Sequence, residues 1–155
     1  MLKIRVIPTL LLKNYGLVKG IGFDSWRAIG SVLPAVKVYN QREVDELILV
    51  NVTAHLSSDE LDYDSINEFG QDCFVPLTIG GGINNIQQAQ KLLRVGADKV
   101  SVNSNAYSNP QLISNIAKRH GSQCVVVSVD VKTKKNGKGW ECYSHAGKEN
   151  TGKDI

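Results

Sequence analysis

Two rhythms of apolar positions alternate along this chain: short, nearly continuous runs, and stretches spaced for one face of a helix. Residues 4–12, IRVIPTLLL, are apolar on both faces, which predicts a strand covered by helices on each side or a barrel strand facing core both ways. Residues 13–30 carry four glycines and no clean period, predicting a long loop. After Pro34, Val36 and Val38 alternate with other residues, predicting an extended piece, and Asn40 with Glu43 resembles a capping pair opening a short helix. Residues 47–52 predict a second strand. Residues 57–71 are polar with Leu61, Ile66 and Phe69 spaced for a helix, and a third strand then runs into Gly80, Gly81 and Gly82.

Beyond Asn85 the helical period is strong: Ile86, Ala89, Leu92, Leu93 and Val95 form one face, which Gly96 ends. Residues 99–102 predict a fourth strand. Asn109 and Pro110 predict an N-cap and first-turn proline for a helix with Leu112, Ile113, Ile116 and Ala117 on its core face. Lys118, Arg119 and His120 complement that helix's negative end. The fifth strand, residues 124–131, is mostly β-branched, and Asn136-Gly137 then turns the chain into a hairpin with residues 140–144. Strands alternating with helices predict an α/β fold with a parallel sheet. An eight-fold barrel takes about 250 residues, so the expectation is an open sheet or the front part of a barrel. Residues 150–155 read as a loop about to enter a helix, which favours the second.

Composition narrows the function classes. The 155 residues, 42% hydrophobic, suit one domain, residues 1–155. The net charge of +3 is spread out, and its one basic cluster, residues 132–138, flanks the Asn136-Gly137 turn, so nothing points to nucleic acid. Cys73, Cys124 and Cys142 lack metal-ligand spacing and read as reduced core thiols of a cytoplasmic protein. No apolar run approaches the roughly 20 residues of a membrane span, and a signal peptide's apolar region is not found at the start. His55, His120 and His145 share no metal or triad spacing and read as surface or capping residues, while Trp26 and Trp140 read as packing loops.

Ligands of parallel α/β sheets gather at the carboxyl ends of the strands. Gly80 to Gly82, Asn103, Ser104 and Asp130 lie there. The glycines with the helix at Asn85 form either a phosphate cradle or a tight turn that binds nothing. Asp130, within an apolar run, is either a general acid or base or an aspartate fixing a loop. Lys19, in the first loop, is a candidate anion contact. Arg5, Glu46 and Lys99 fall at strand starts, on the opposite face, as a solvated rim or as an inward ring of alternating charge.

The segments RVIPTLLLK, GLVKG, DELILVNVTA, VPLTIGGGI, GADKVSVNSNA, NPQLI, GSQCVVVSVDVK and NTG, in this order, resemble the cyclase subunit of imidazole glycerol phosphate synthase, the HisF family. The resemblance implies a (β/α)8 barrel of two similar halves. It implies a glutaminase subunit docked at the amino-terminal face, whose ammonia crosses the barrel to a phosphorylated small-molecule substrate at the carboxyl-terminal face, with no metal or cofactor. It makes Asp130 one of two catalytic aspartates and Lys19 an active-site loop residue. Gly81, Gly82, Asn103 and Ser104 become a phosphate site, Arg5, Glu46 and Lys99 three of four charges of an ammonia gate, and Asp98 and Gln123 interface positions.

Two departures matter. The family's other catalytic aspartate falls where this chain has Leu11, as matching residues 9–13 to residues 128–132 also shows, and leucine moves no proton. Asn51 likewise stands in place of a family aspartate. The other is length: the last strands, a second phosphate site and a fourth gate charge are expected in sequence outside this chain. The expectations are that the chain alone is not a competent catalyst and that the first and fifth strands offer edges for self-association. The first strand suggests the paralogue branch tied to surface-polysaccharide sugar amidation, in which ammonia goes to another acceptor. A scaffold without activity is the third reading.

Overall fold

The computed structural model describes residues 3–14, 16–22, 24–54 and 62–155. His55, Leu61 and the start of the helix expected over residues 57–71 lie outside the described residues.

Five parallel strands form the body of the molecule: β1 (Thr9–Lys13), β4 (Leu47–Asn51), β5 (Leu77–Gly80), β6 (Lys99–Val102) and β7 (Val125–Val127). Their order in the sheet is their order in the chain, as the right-handed crossovers of a barrel family require. This is the strand order of the (β/α)8 class, present as an open arc. Register separates the two faces. The row Leu10, Leu49, Ile79, Val100 and Val125 packs with the buried helix faces in one core cluster. The next row, Leu11, Val50, Gly80, Ser101 and Val126, lies on the other face, where most members are only half-buried.

Helices α1 (Val32–Gln41), α2 (Tyr63–Gln71), α3 (Ile86–Arg94) and α5 (Gln111–His120) lie side by side over the first face. Each buries residues spaced three or four apart, such as Val32 and Val36, or Leu112 and Ile116. In α3 the Asn85 side chain accepts from Gln88 N at 2.8 Å while Gln88 Oε1 accepts from Asn84 N at 2.9 Å, a reciprocal cap. Gly96, at φ +117°, ends this helix as expected. Among the described residues no helix is long and apolar enough to cross a membrane.

Several expectations are corrected. The first strand is β1 alone, because Ile4 and Val6 ahead of it are 89% and 62% exposed. The long loop is instead a hairpin, β2 (Gly16–Ile21) and β3 (Asp24–Gly30), laid antiparallel on β1. It is held by buried Leu17 and Val18, and it covers the edge of β1 that was expected to be free. Residues 36–38 are helical, not extended. Pro34 falls in the first turn of α1, where its missing N–H would have had no partner, and the period of four between Val32 and Val36 outweighs the period of two between Val36 and Val38. Asn40 therefore sits near the end of a helix rather than at the start of one. Its amide donates to Asp72 O and accepts from Phe74 N, while Glu43 takes a φ of +52° in the turn that follows.

The fifth run divides. It forms β7 and then, after Ser128 and Val129, β8 (Asp130–Thr133), which leaves the parallel sheet and pairs with β9 (Trp140–Ser144). The Asn136-Gly137 turn closes this hairpin as expected, with Gly137 at φ +70°. Residues 150–155 do not form a loop: β10 (Glu149–Asp154) adds a third antiparallel strand to β9. The short helix α4 (Asn105–Ser108) was not anticipated, and α5 begins one residue later than expected, with Pro110 at its cap position and no side-chain cap bond. Trp26 is half-buried on the hairpin, whereas Trp140, expected to pack a loop, is 53% exposed at the start of β9. The three cysteines are free thiols.

Candidate functional site

The carboxyl ends of β4, β5 and β6 meet at the three glycines. Gly81 has φ +101° and Gly82 has φ +74°. A Cβ on Gly81 would collide with the Asn51 backbone carbonyl, and one on Gly82 would come within 2.7 Å of Ala54 Cβ. The turn is thus pressed against the end of β4, where Asn51 Oδ1 accepts from Thr53 N and Oγ1 at 2.9 and 3.1 Å. On its other side Asn105 Nδ2 donates to Ile83 O at 2.8 Å, tying the turn to the corner that follows β6.

That corner holds Asn103 and Ser104. Asn103 Nδ2 donates to Asp130 Oδ1 at 3.2 Å, and the Ser104 hydroxyl donates to Asn103 Oδ1 at 3.4 Å. Although Asp130 belongs to β8 rather than to the parallel sheet, it therefore stands on the same rim as the glycine turn. Lys19 is exposed on β2 opposite Arg27, and among the described residues it has no ion-pair partner. Leu11 is half-buried between Val18 and Val50. Two residues of this rim were missed. His145, in the turn after β9, donates its backbone N–H to Ser104 Oγ at 3.0 Å. Tyr107, on α4, buries its hydroxyl beside Cys142 with no partner in good hydrogen-bond geometry among the described residues, and burial first, then the neighbouring Cys142 and Asp130, pushes its pKa up. The alternating pattern of a strand carries no signal for a contact made 41 residues away, and a tyrosine on a four-residue helix has no period to reveal it.

At the opposite end, Glu46 joins two cations. Its Oε1 lies 2.5 Å from Arg5 Nη1 and its Oε2 lies 2.5 Å from Lys99 Nζ. Glu46 is 7% exposed, Lys99 is half-buried and Arg5 mostly exposed. The Lys99 hydrogen bond, aided by Arg5, holds the Glu46 carboxyl below its usual range against the opposing effect of burial. The three strand-start charges are therefore one linked cluster rather than separate solvated side chains. Asp98 adjoins it, accepting from Leu77 N at 2.7 Å, and Gln123 is exposed after α5. Among the described residues no three His, Cys, Asp or Glu side chains gather as a metal site.

A family model described as "Histidine biosynthesis protein" matches residues 5–155. A provisionally named hisF2 subunit of imidazole glycerol phosphate synthase from Campylobacter jejuni is 49% identical over 134 residues, which is 86% of this chain and 54% of that protein. The HisF subunit of the same synthase from Chloroherpeton thalassium is 42% identical over 155 residues, all of this chain and 61% of that one. Its counterpart from Caulobacter vibrioides is 40% identical over 155 residues, covering 60% of its own length. The chain thus spans a little over half the length of the relatives it matches.

Proposed function

This chain belongs to the histidine biosynthesis protein family, in its HisF group, and from that premise we propose that it is the ammonia-receiving barrel subunit of a glutamine-dependent amidotransferase. The observation that carries the reading is the Arg5–Glu46–Lys99 cluster at one end of a sheet whose other end holds the glycine turn, Asn103, Ser104 and Asp130. A neutral ammonia molecule passes between two cations more readily than ammonium does, so paired charges at an entrance can admit the reactive form and turn back the charged one. At the far end, Gly81, Gly82, Asn103 and Ser104 supply donors for a phosphate, and Asp130 carries protons during ring closure. Lys19 closes over the substrate from the β2–β3 hairpin. The free thiols suit a reducing cytoplasm.

A glutaminase subunit docks on the amino-terminal face, with Asp98 and Gln123 at the contact. Calorimetric titration with such a glutaminase tests this. Binding that Asp98→Lys weakens at least about tenfold is expected; a glutaminase that ignores the wild-type chain would overturn the proposal.

Leu11 favours a second reading, in which ammonia passes to an acceptor other than the cyclase substrate, as in sugar amidation. Its alkyl side chain stands in the row that continues through Val50 and Gly80, where the family's first strand carries a carboxylate. General acid–base assistance contributes typically about 10²- to 10⁴-fold. Cyclase turnover with added ammonia, compared between the Leu11 form and Leu11→Asp in a chain of its relatives' full length, separates the two. A wild-type rate that Leu11→Asp leaves unchanged would remove the second reading, and a rise of about 10²-fold would favour it.

A further inference from the structure

The Ser104 hydroxyl has one proton and two lone pairs. His145 N–H, at 3.0 Å, occupies one lone pair, and the proton points to Asn103 Oδ1 across a long 3.4 Å. A hydroxyl that already accepts a good hydrogen bond is polarised into a stronger donor, and the one it makes here is weak. It is therefore ready to turn toward a better acceptor. An anion seated against Gly82 and Asn103 is such an acceptor, because charge-assisted bonds are shorter and about twice as strong as neutral ones.

The turn that brings His145 to Ser104 is shaped for that contact. His145, Ala146 and Gly147 have φ of +52°, +56° and +71° in succession, and two of these residues have a Cβ. Such strain persists only where surrounding contacts enforce it. The contacts are visible: Lys148 N donates to Ser144 O at 3.1 Å, Lys132 Nζ donates to Gly147 O, and His145 Nδ1 lies 3.1 Å from Ser144 Oγ and 3.2 Å from Glu149 Oε2. The imidazole is thus engaged with its own sheet, and the main-chain N–H is the group turned to the rim.

We infer that His145 is a positioning residue of the anion site, whose backbone N–H orients and polarises the Ser104 hydroxyl so that it donates to a phosphate group. The inference rests on the reading of residues 81–82 and 103–104 as a phosphate site. It gives the small antiparallel sheet a role at the rim: β8 supplies Asp130, and the β9–β10 turn sets the hydroxyl.

Amide-resolved NMR of the 155-residue chain titrated with inorganic phosphate tests it. The Gly82, Asn103 and His145 amides are expected to shift together with one dissociation constant. In Ser104→Ala the His145 response disappears and phosphate binding weakens about 10- to 150-fold, the worth of one hydrogen bond to a charged group. Ser104→Thr, which keeps the hydroxyl, restores both. Shifts at Gly82 and Asn103 with a silent His145, or a His145 response that survives in Ser104→Ala, would overturn the inference alone. If none of the three amides responds in the wild-type chain, the phosphate-site reading falls and takes this inference with it.

Discussion

Gly81 has the least freedom to change of the residues on the rim, for two independent reasons. Its φ is positive and its Cβ position is filled by the carbonyl of Asn51. Gly137 shares the first reason but has nothing within 4 Å of a Cβ. Gly81→Ala is therefore expected to destabilise by about 2–4 kcal/mol, and Gly137→Ala by only about 1 kcal/mol. Urea unfolding of the two variants measures the difference. Glu46 makes a pH-dependent prediction. Its pKa in the folded chain is below the ordinary 4.5, so the stability it contributes is fully present above that value and is lost as pH falls through the lowered one. Glu46→Gln should cost about 2 kcal/mol at pH 7, and its deficit against wild type should shrink progressively below about pH 4.5. A deficit that stays constant down to the acid unfolding range would show that Lys99 and Arg5 do not set this carboxyl.

At the scale of elements, residues whose partners are near in sequence were legible and those whose partners are distant were not. The apolar face from Ile86 to Val95, with Asn85 before it and Gly96 after it, states its own helix, and Asn136-Gly137 states its own turn. The β2–β3 hairpin could not be seen in the same way. Its short strands are interrupted by glycines, and they become ordered because the pairing of β2 with β1 buries Leu17 in the helix-facing core and Val18 beside Leu11 on the opposite face. Leu17 is 4% exposed, so Leu17→Ala is expected to cost about 2–5 kcal/mol in a denaturant titration. Residues 16–30 forming a surface loop would have made the substitution close to neutral. Likewise α1 misled because valines at a spacing of two are more conspicuous than the buried pair at a spacing of four, and Val38 turns out to be exposed.

Across the whole molecule, the arc of parallel strands ends on β7, which pairs only with β6 among the described residues. Val127 in β7 and Val129 just after it are 44% and 45% exposed. Apolar edges of this kind template pairing with another chain, so the 155-residue chain is expected to associate as its concentration rises. Val129→Lys should shift that association to higher concentration in sedimentation equilibrium. Sedimentation unchanged by the substitution would place the contact elsewhere.

Period, glycine placement and strand-end chemistry were enough to announce a parallel α/β sheet with a glycine turn on one rim and a set of charges on the other. These features are set by neighbours along the chain and by the two-residue alternation of a strand, which needs no knowledge of what lies across the sheet. Packing alone made Glu46 the shared partner of Arg5 and Lys99, moved Asp130 from the parallel sheet into β8, and brought His145 to Ser104. Each of these joins residues at least 41 positions apart or depends on where a strand leaves one sheet for another. Such meetings are selected by the burial and hydrogen bonding of the completed core, and no local pattern of residues carries that information.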